Sequence, residues 1–567
     1  MNSALLALLA LIGYIIAYYT YGRFIGSRIL NLSDKNRMPS HELRDNVDFV
    51  PAKRSIVFGH HFTTIAGLGP IVGPAIGIIW GWLPAFLWVF FGSIFMGAVH
   101  DFSTLIVSAR NKGMTMGELT GKIIGPSTRY ALQFIMQLLL FIVLAVFALI
   151  VGTLFQMYPE SVIPVWTQIP IAIWLGKELR KGKNQILFSA VALLLMYASI
   201  LAGVYLPVTI PGDPQHVVVM WCLILFAYVF VASTTPVQVL LQPRDYINSQ
   251  QLLVAMALLI LGLAIAHPVL VAPAINEAAF KPGSDVPPMA PLMFIVIACG
   301  AISGFHSLAS SGTTVKQVDR ESDTRIIGYG GMITESFFAV LVLMAVGGGL
   351  GMGLAVDGKI LTGLDAYQHH YSSWSAANGL GAKLEAFITG GANLLQAIGI
   401  PLKFGAAMIS VFIVSFANTT LDSAARIQRL SLQEIFKTTE GKIRKPMNNR
   451  YVATAFIVGI ASVMTFLKPG GQGAMVLWPL FGSLNQLMAA LALGVVTVYL
   501  HTKGKSILFT LLPMVFVLVI TLWSMVENGF QFLRDQDYLL LVISLLIIML
   551  TAWLSLSSVL AIFKKSN

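Results

Sequence analysis

At 567 residues, with 56% hydrophobic and only 11% charged side chains and a mean hydropathy of +0.79, the chain is far more apolar than water-soluble proteins, in which about a quarter of residues are charged. It reads as an all-α polytopic membrane protein, and a soluble globular domain is excluded. The formal net charge of +11 does not point to nucleic acid, because such a partner needs basic residues gathered on one soluble face. Here they punctuate apolar runs.

The first apolar run, 3–20, has no basic stretch ahead of it and no small-residue cleavage site behind it, so it reads as a retained helix and not a signal peptide. Runs that suit the thickness of a bilayer follow near 60–80, 83–108, 130–157, 164–176, 186–206, 217–234, 250–271, 289–310, 328–350, 403–420, 451–467, 474–500, 506–526 and 538–562. About fifteen transmembrane helices are expected. Residues 385–400 are apolar but short and glycine-bearing, and are placed as an extracellular or re-entrant segment. If the N-terminus is outside, alternate loops hold all but six of the 36 Lys and Arg; the exceptions are Lys281, Lys359, Lys383, Lys403, Lys468 and Arg534. This bias is the positive-inside signature, so the expected topology has a periplasmic N-terminus and a cytoplasmic C-terminus. Contact with anionic lipid at Arg23 to Arg54 and at Lys437 to Arg450 is a secondary reading of the same charges. No loop reaches domain size. Cys222 and Cys299 lie in separate spans without CxxC spacing and read as structural filler, with no metal site expected.

One crossing is built from unsuitable residues: GHHFTTIAGLGPIVGPAIG, residues 59–77. Gly69, Gly73 and Gly77 recur every four residues, which lets a neighbouring backbone approach. Pro70 and Pro74 remove amide donors and disfavour helix at the residues before them. Carbonyls freed at membrane depth need a ligand, water or protein to satisfy them, and interrupted helices of secondary transporters bind ions and substrates in this way. His60, His61, Thr63, Thr64, Gly67, Gly69, Pro70 and Gly73 are therefore candidate substrate-binding residues, and Ala66 a candidate ion ligand.

A second interrupted segment is GAISGFHSLASSGTTVKQ, residues 300–317, whose span runs in the opposite direction and invites an inverted-repeat architecture. Ser303 and His306 join the substrate candidates, and the hydroxyls of Ser310, Ser311 and Thr313 the ion-coupling ones. The plainer alternative is that these hydroxyls bond back to their own helix. Acids within spans are costly unless paired or hydrated. Asp101, beside His100, and Glu335 are thus candidate proton carriers, with a static helix-holding pair as the alternative. Asp422 and Arg426 stand four apart and would pair on one helix face; Asp422 is also a candidate for ion coupling. Asn485 and Gln486 read mainly as amides that glue helices together. There is no GxxxxGK[ST], HExxH or GxSxG sequence, so neither an ATP-driven pump nor an enzyme is expected.

The stretches FGHHFTTIAGLGPIVGPAIG, GWLPAFLWVFFGSIFMGAVHDF, LLQPRDYINS, SGFHSLASSGTTVKQ, TTLDSAARIQR and LWPLFGSLNQL resemble the carbon starvation protein A family of bacterial inner-membrane transporters. The resemblance implies a proton- or sodium-coupled secondary transporter, without other cofactor, that imports a peptide or a pyruvate-like monocarboxylate under carbon limitation. It leaves the oligomeric state open. It also implies a leucine-transporter-like core of two inverted five-helix repeats within 59–425, with 1–58 as an extra helix and loop and 426–567 as accessory helices. In that scheme 217–234 is the inverted partner of 60–80, and 289–310 is only its neighbour. A membrane sensor that binds the nutrient without net transport is the alternative function.

Overall fold

A backbone in lipid must satisfy its own polar groups, so helices carry this chain. The computed structural model describes residues 1–438 and 443–564; Lys442 and Lys565, in two of the basic segments, lie outside them. Among the described residues eleven helices are long and apolar enough to cross a bilayer, and the bent pair Arg54–Ile65 and Gly69–Trp80 makes a twelfth. Twelve of the expected fifteen spans meet that measure. The three remaining candidates are helical but differ from simple spans: Val162–Arg180 carries Gln168, Lys177, Glu178 and Arg180; the stretch 289–312 is interrupted; and Arg450–Phe466 has 17 residues. The 385–400 segment falls on a buried helix, Leu380–Ala397, packed against Leu402–Ile435, Leu241–Ala266 and Gly69–Gly77. A two-stranded hairpin, Leu354–Val356 with Lys359–Leu361, is the only sheet among the described residues.

Burial separates a core from a rim. In Pro126–Met157, Glu321–Met352, Leu402–Ile435 and Pro469–Thr502 between 83% and 94% of the apolar window is buried, whereas Ser3–Ile29, Gln185–Tyr205, Leu508–Arg534 and Tyr538–Phe563 bury 22–33% and present apolar side chains outward. Pro469–Thr502, in the expected accessory segment, is among the most buried helices, and Leu402–Ile435 continues past residue 425. The loops sort onto two ends. At one, Ser3 N–H donates to the Pro268 carbonyl and Trp82 N–H to that of Pro273; at the other, Val50 N–H donates to Lys316 and Val237 N–H to Val47.

The first broken helix bends by 44°. Its inner half stops at Ile65 because Ala66 leaves helical geometry (ψ 49°), and its second half starts at Gly69 with Pro70 in the first turn, where the missing amide costs nothing. The second break is at Ile302 and Ser303, both extended, between the short helix Ala298–Ala301 and Gly304–Gly312. Pro214–Thr234, by contrast, is continuous. The other interrupted helix, 289–312, packs directly against the first, while 217–234, the inverted partner that the family resemblance implies, carries no break.

These two helices touch through the glycines. A Cβ on Gly69 would sit 2.1 Å from the Cys299 Cβ, and one on Gly73 would sit 2.4 Å from the Val296 carbonyl oxygen. Contacts that retreat along one chain as they advance along the other are antiparallel. A Gly73→Ala change forces overpacking against backbone, a cost of about 1–3 kcal/mol. It is expected to lower the melting temperature of the detergent-purified protein, while Gly459→Ala, where an added Cβ meets nothing within 4 Å, leaves it unchanged or raised.

Candidate transport site

A cavity of about 310 Å³ lies against the first break. Gly67, Gly69 and Gly73 line it from one broken helix, Val296, Cys299 and Ser303 from the other, and it continues between aromatic side chains toward the exposed Asn378. Most of the wall is apolar. Its polar groups include Thr420, Asn485 and Ser524, and its one charged side chain is Lys383, itself buried. No carboxylate among the described residues lines it.

Each break is satisfied by a neighbouring helix. Asn485 Oδ1 accepts from the Phe305 N–H at 2.9 Å, and its amide nitrogen donates to Ser303 Oγ at 3.0 Å. It therefore caps the second half of the second broken helix, using donors that a helix start leaves free. At the first break, Thr420 Oγ1 donates to the Thr64 carbonyl at 3.3 Å, and Thr64 Oγ1 meets Ser423 Oγ at 3.1 Å. The hydroxyls that serve this break thus come from Leu402–Ile435. Those expected from 310–313 are turned elsewhere: Ser311 donates to the Ser307 carbonyl at 2.7 Å, Thr313 to that of Ala309 at 3.3 Å, and the buried Ser310 hydroxyl has no partner among the described residues.

Behind the break, buried ionisable groups form a continuous row. His306 Nδ1 donates to Asp101 Oδ2 at 2.9 Å, and His100 Nδ1 donates to the other oxygen, Oδ1, at 2.8 Å. On its far side, His306 Nε2 lies 3.4 Å from Glu335 Oε2 and 3.5 Å from Cys299 Sγ. His306, Asp101 and Glu335 are therefore brought together, whereas the His pair of the first broken helix diverges. His60 Nδ1 contacts Asp245 at 2.5 Å and His61 Nδ1 contacts Thr314 at 3.0 Å. Thr63 bonds back to the Gly59 carbonyl at 2.8 Å. Among the candidates, His60, His61, Thr63, Thr64, Ala66, Pro70 and His306 are absent from the cavity lining, and Gly67, Gly69, Gly73 and Ser303 belong to it.

Asp422 and Arg426 do not pair with each other. Both are buried, and each is taken by a different element: Asp422 by Arg244 and by the Tyr228 hydroxyl (2.8 Å), Arg426 by Asp48 (2.6 Å) and the carbonyls of Ala232 and Thr235. Asp48 also accepts from Arg429 at 3.1 Å. Burial alone would push the Asp48 carboxyl up, but Arg429, Arg426 and Lys316 outweigh it and hold it well below the usual carboxylate range. The row of ion pairs closes the end of the molecule opposite Lys383. Three residues that make these contacts were given no site role from the sequence: Arg244, Asp245 and Lys383. The signal for the first two was an Arg-Asp pair running directly into an apolar stretch; Lys383 stood out only as one of six cations on the sparse side.

Interrupted, oppositely directed helices around a cavity define the class: polytopic membrane proteins with discontinuous helices at their core. The model of the family described as carbon starvation protein CstA matches residues 2–524, and the chain belongs to that family. It is 33% identical over 537 residues to a peptide transporter CstA of Mycobacterium tuberculosis, covering 87% of this chain and 70% of that one. It is 32% identical over 578 residues to the pyruvate/proton symporter BtsT of Escherichia coli, covering 90% and 80%. Among solved structures, MhsT in complex with L-phenylalanine aligns over 91% of this chain and 99% of its own at 13% identity and a TM-score of 0.43.

Removing one partner of a buried ion pair strands the other charge, at a cost of about 3–5 kcal/mol. Asp422→Asn is therefore expected to lower the melting temperature sharply. Adding Arg244→Gln is expected to restore part of the loss, which a double-mutant cycle measures.

Proposed function

We propose that this chain is a secondary transporter that imports a small monocarboxylate of pyruvate class across a bacterial inner membrane together with protons. The N-terminus is outside in this reading, so the cavity faces the periplasm and the Arg244–Asp422 and Asp48–Arg426 pairs close the cytoplasmic end. The observation that carries it is the cavity beside the first break, with Lys383 as the one charged side chain of an otherwise neutral, largely apolar wall. One cation suits one carboxylate. The volume is at the small end of ligand sites. A freed half-helix start at Gly69 adds partial positive charge.

The row Asp101, His306 and Glu335 supports coupling to protons, because intramembrane acids joined through an imidazole form a route for a proton. The symporter named among the relatives supports the same pairing of pyruvate with protons. A peptide is the second reading, favoured by the name of the Mycobacterium tuberculosis relative. Its free ammonium would find no carboxylate in the lining, which weighs against it. A sensor without transport remains an outcome of the test.

Proteoliposomes holding the full chain are expected to accumulate labelled pyruvate when an inward proton gradient is imposed, and to lose it when a protonophore collapses the gradient. Lys383→Gln is expected to raise the KM about 10- to 100-fold, the equivalent of one lost charge-assisted hydrogen bond, and Asp101→Asn to abolish uphill uptake. Dipeptides outcompeting pyruvate, or Lys383→Gln with an unchanged KM, would overturn the monocarboxylate assignment. Binding without counterflow exchange would favour the sensor.

A further inference from the structure

We infer that Cys299, His306 and Glu335 form a three-donor site for a borderline-soft divalent transition-metal ion of the Zn²⁺ class, which staples the break of the second broken helix to the span Glu321–Met352. The inference goes beyond the transport reading and stands without it.

Three lone-pair-bearing atoms converge here. His306 gives its Nδ1 proton to Asp101 at 2.9 Å, so in the neutral imidazole Nε2 presents a lone pair. It presents that lone pair to Cys299 Sγ at 3.5 Å and Glu335 Oε2 at 3.4 Å, and the donor atoms of the three residues all lie within 4.8 Å of one another. A tetrahedral Zn²⁺ with its ordinary bond lengths separates nitrogen from oxygen by about 3.4 Å and nitrogen from thiolate by about 3.6 Å. The separations from His306 already match.

Two further observations point to a ligand. Glu335 is fully buried and neither of its carboxylate oxygens has a hydrogen-bond partner among the described residues, an expensive arrangement at this depth. Asp101, holding Nδ1, orients the imidazole as an outer-shell carboxylate does for zinc-binding histidines. Three protein donors leave a fourth position of the tetrahedron for water or an anion. A thiolate, an imidazole and a carboxylate select this metal class over Mg²⁺ or Ca²⁺, which prefer oxygen donors alone. Cys299 and His306 flank the break at Ile302 and Ser303, so a bound ion ties its two sides together and to a third element. Zn²⁺ should therefore inhibit whatever movement this break supports.

Purified, chelator-treated full-length protein, titrated with Co²⁺ as the spectroscopic probe, is expected to bind one equivalent with a thiolate-to-cobalt charge-transfer band. Cys299→Ser should abolish the band and Cys222→Ser keep it; Asp101→Asn should weaken affinity about 10- to 100-fold. Zn²⁺ should raise the melting temperature of the unaltered protein and not of Cys299→Ser, a comparison that also reports whether the variant folds. No Co²⁺ band, a band that survives Cys299→Ser, or one lost in Cys222→Ser would overturn the site. None of these readouts involves uptake, so a failed transport assay leaves the metal site standing, and the reverse holds too.

Discussion

The structure depends on one constraint: a polypeptide that interrupts a helix inside a bilayer must satisfy the exposed amides and carbonyls from within the protein. Two interruptions side by side meet it together. Antiparallel packing brings each broken helix to backbone distance of the other, and this is why residues 69 and 73 are glycine; a methyl group at either would overlap Cys299 or the Val296 carbonyl. Helices from outside the pair then supply the missing partners. Asn485 caps the second break, and Thr420 and Ser423 attend the first. The cavity lies beside this arrangement, and Thr420 and Asn485, which satisfy the breaks, also line its wall.

Charge is distributed by the same economy. An ion at this depth costs several kcal/mol unless paired, and the buried acids on the closed side each face a cation or an imidazole: Asp422 with Arg244, Asp245 with His60, Asp48 with two arginines. These pairs join loop 31–53, the helix Leu241–Ala266 and Leu402–Ile435 across the end opposite Lys383. Opening that end means separating them, and a ligand can shift such an equilibrium only by its differential affinity for the two states. The end opposite Lys383 is thus tied by ion pairs, whereas near Lys383 Trp80 packs on Trp374 at 5.5 Å and donates to the Pro287 carbonyl at 2.9 Å.

Local chemistry made part of this legible in the sequence. Proline and closely spaced glycines announce a break whatever surrounds them, so residues 66–69 and the small-residue stretch around Ser303 could be found, as could the opposed direction of their spans. What the hydroxyls and charges do could not. Ser311 and Thr313 have the chemistry of ligands, but a helix also offers each a carbonyl one turn back, and here each donates to it. Asp422 and Arg426 have the spacing of a pair, but spacing within one helix cannot weigh a buried arginine arriving from another. Three of the expected spans, Val162–Arg180, 289–312 and Arg450–Phe466, are helical yet fall outside a measure of length and hydropathy, because polar side chains, a break or a short helix interrupts their apolar runs.

The cluster behind the break and the cavity in front of it are separated by a single residue. Cys299 contributes its surface to the cavity, and its sulfur meets the His306 nitrogen that also faces Glu335. In a dry, low-dielectric setting a unit charge is felt over several ångströms with little screening. Any cation added to the cluster, whether proton or metal, therefore strengthens the positive field that Lys383 and the Gly69 helix start already project into the cavity, and an anionic occupant strengthens the hold on that cation in return. Linkage makes the two effects equal. The cavity, the broken helix and the Cys299, His306 and Glu335 atoms are contiguous in this fold, so an ion held at the cluster and an anion held in the cavity would act on each other without a distant relay.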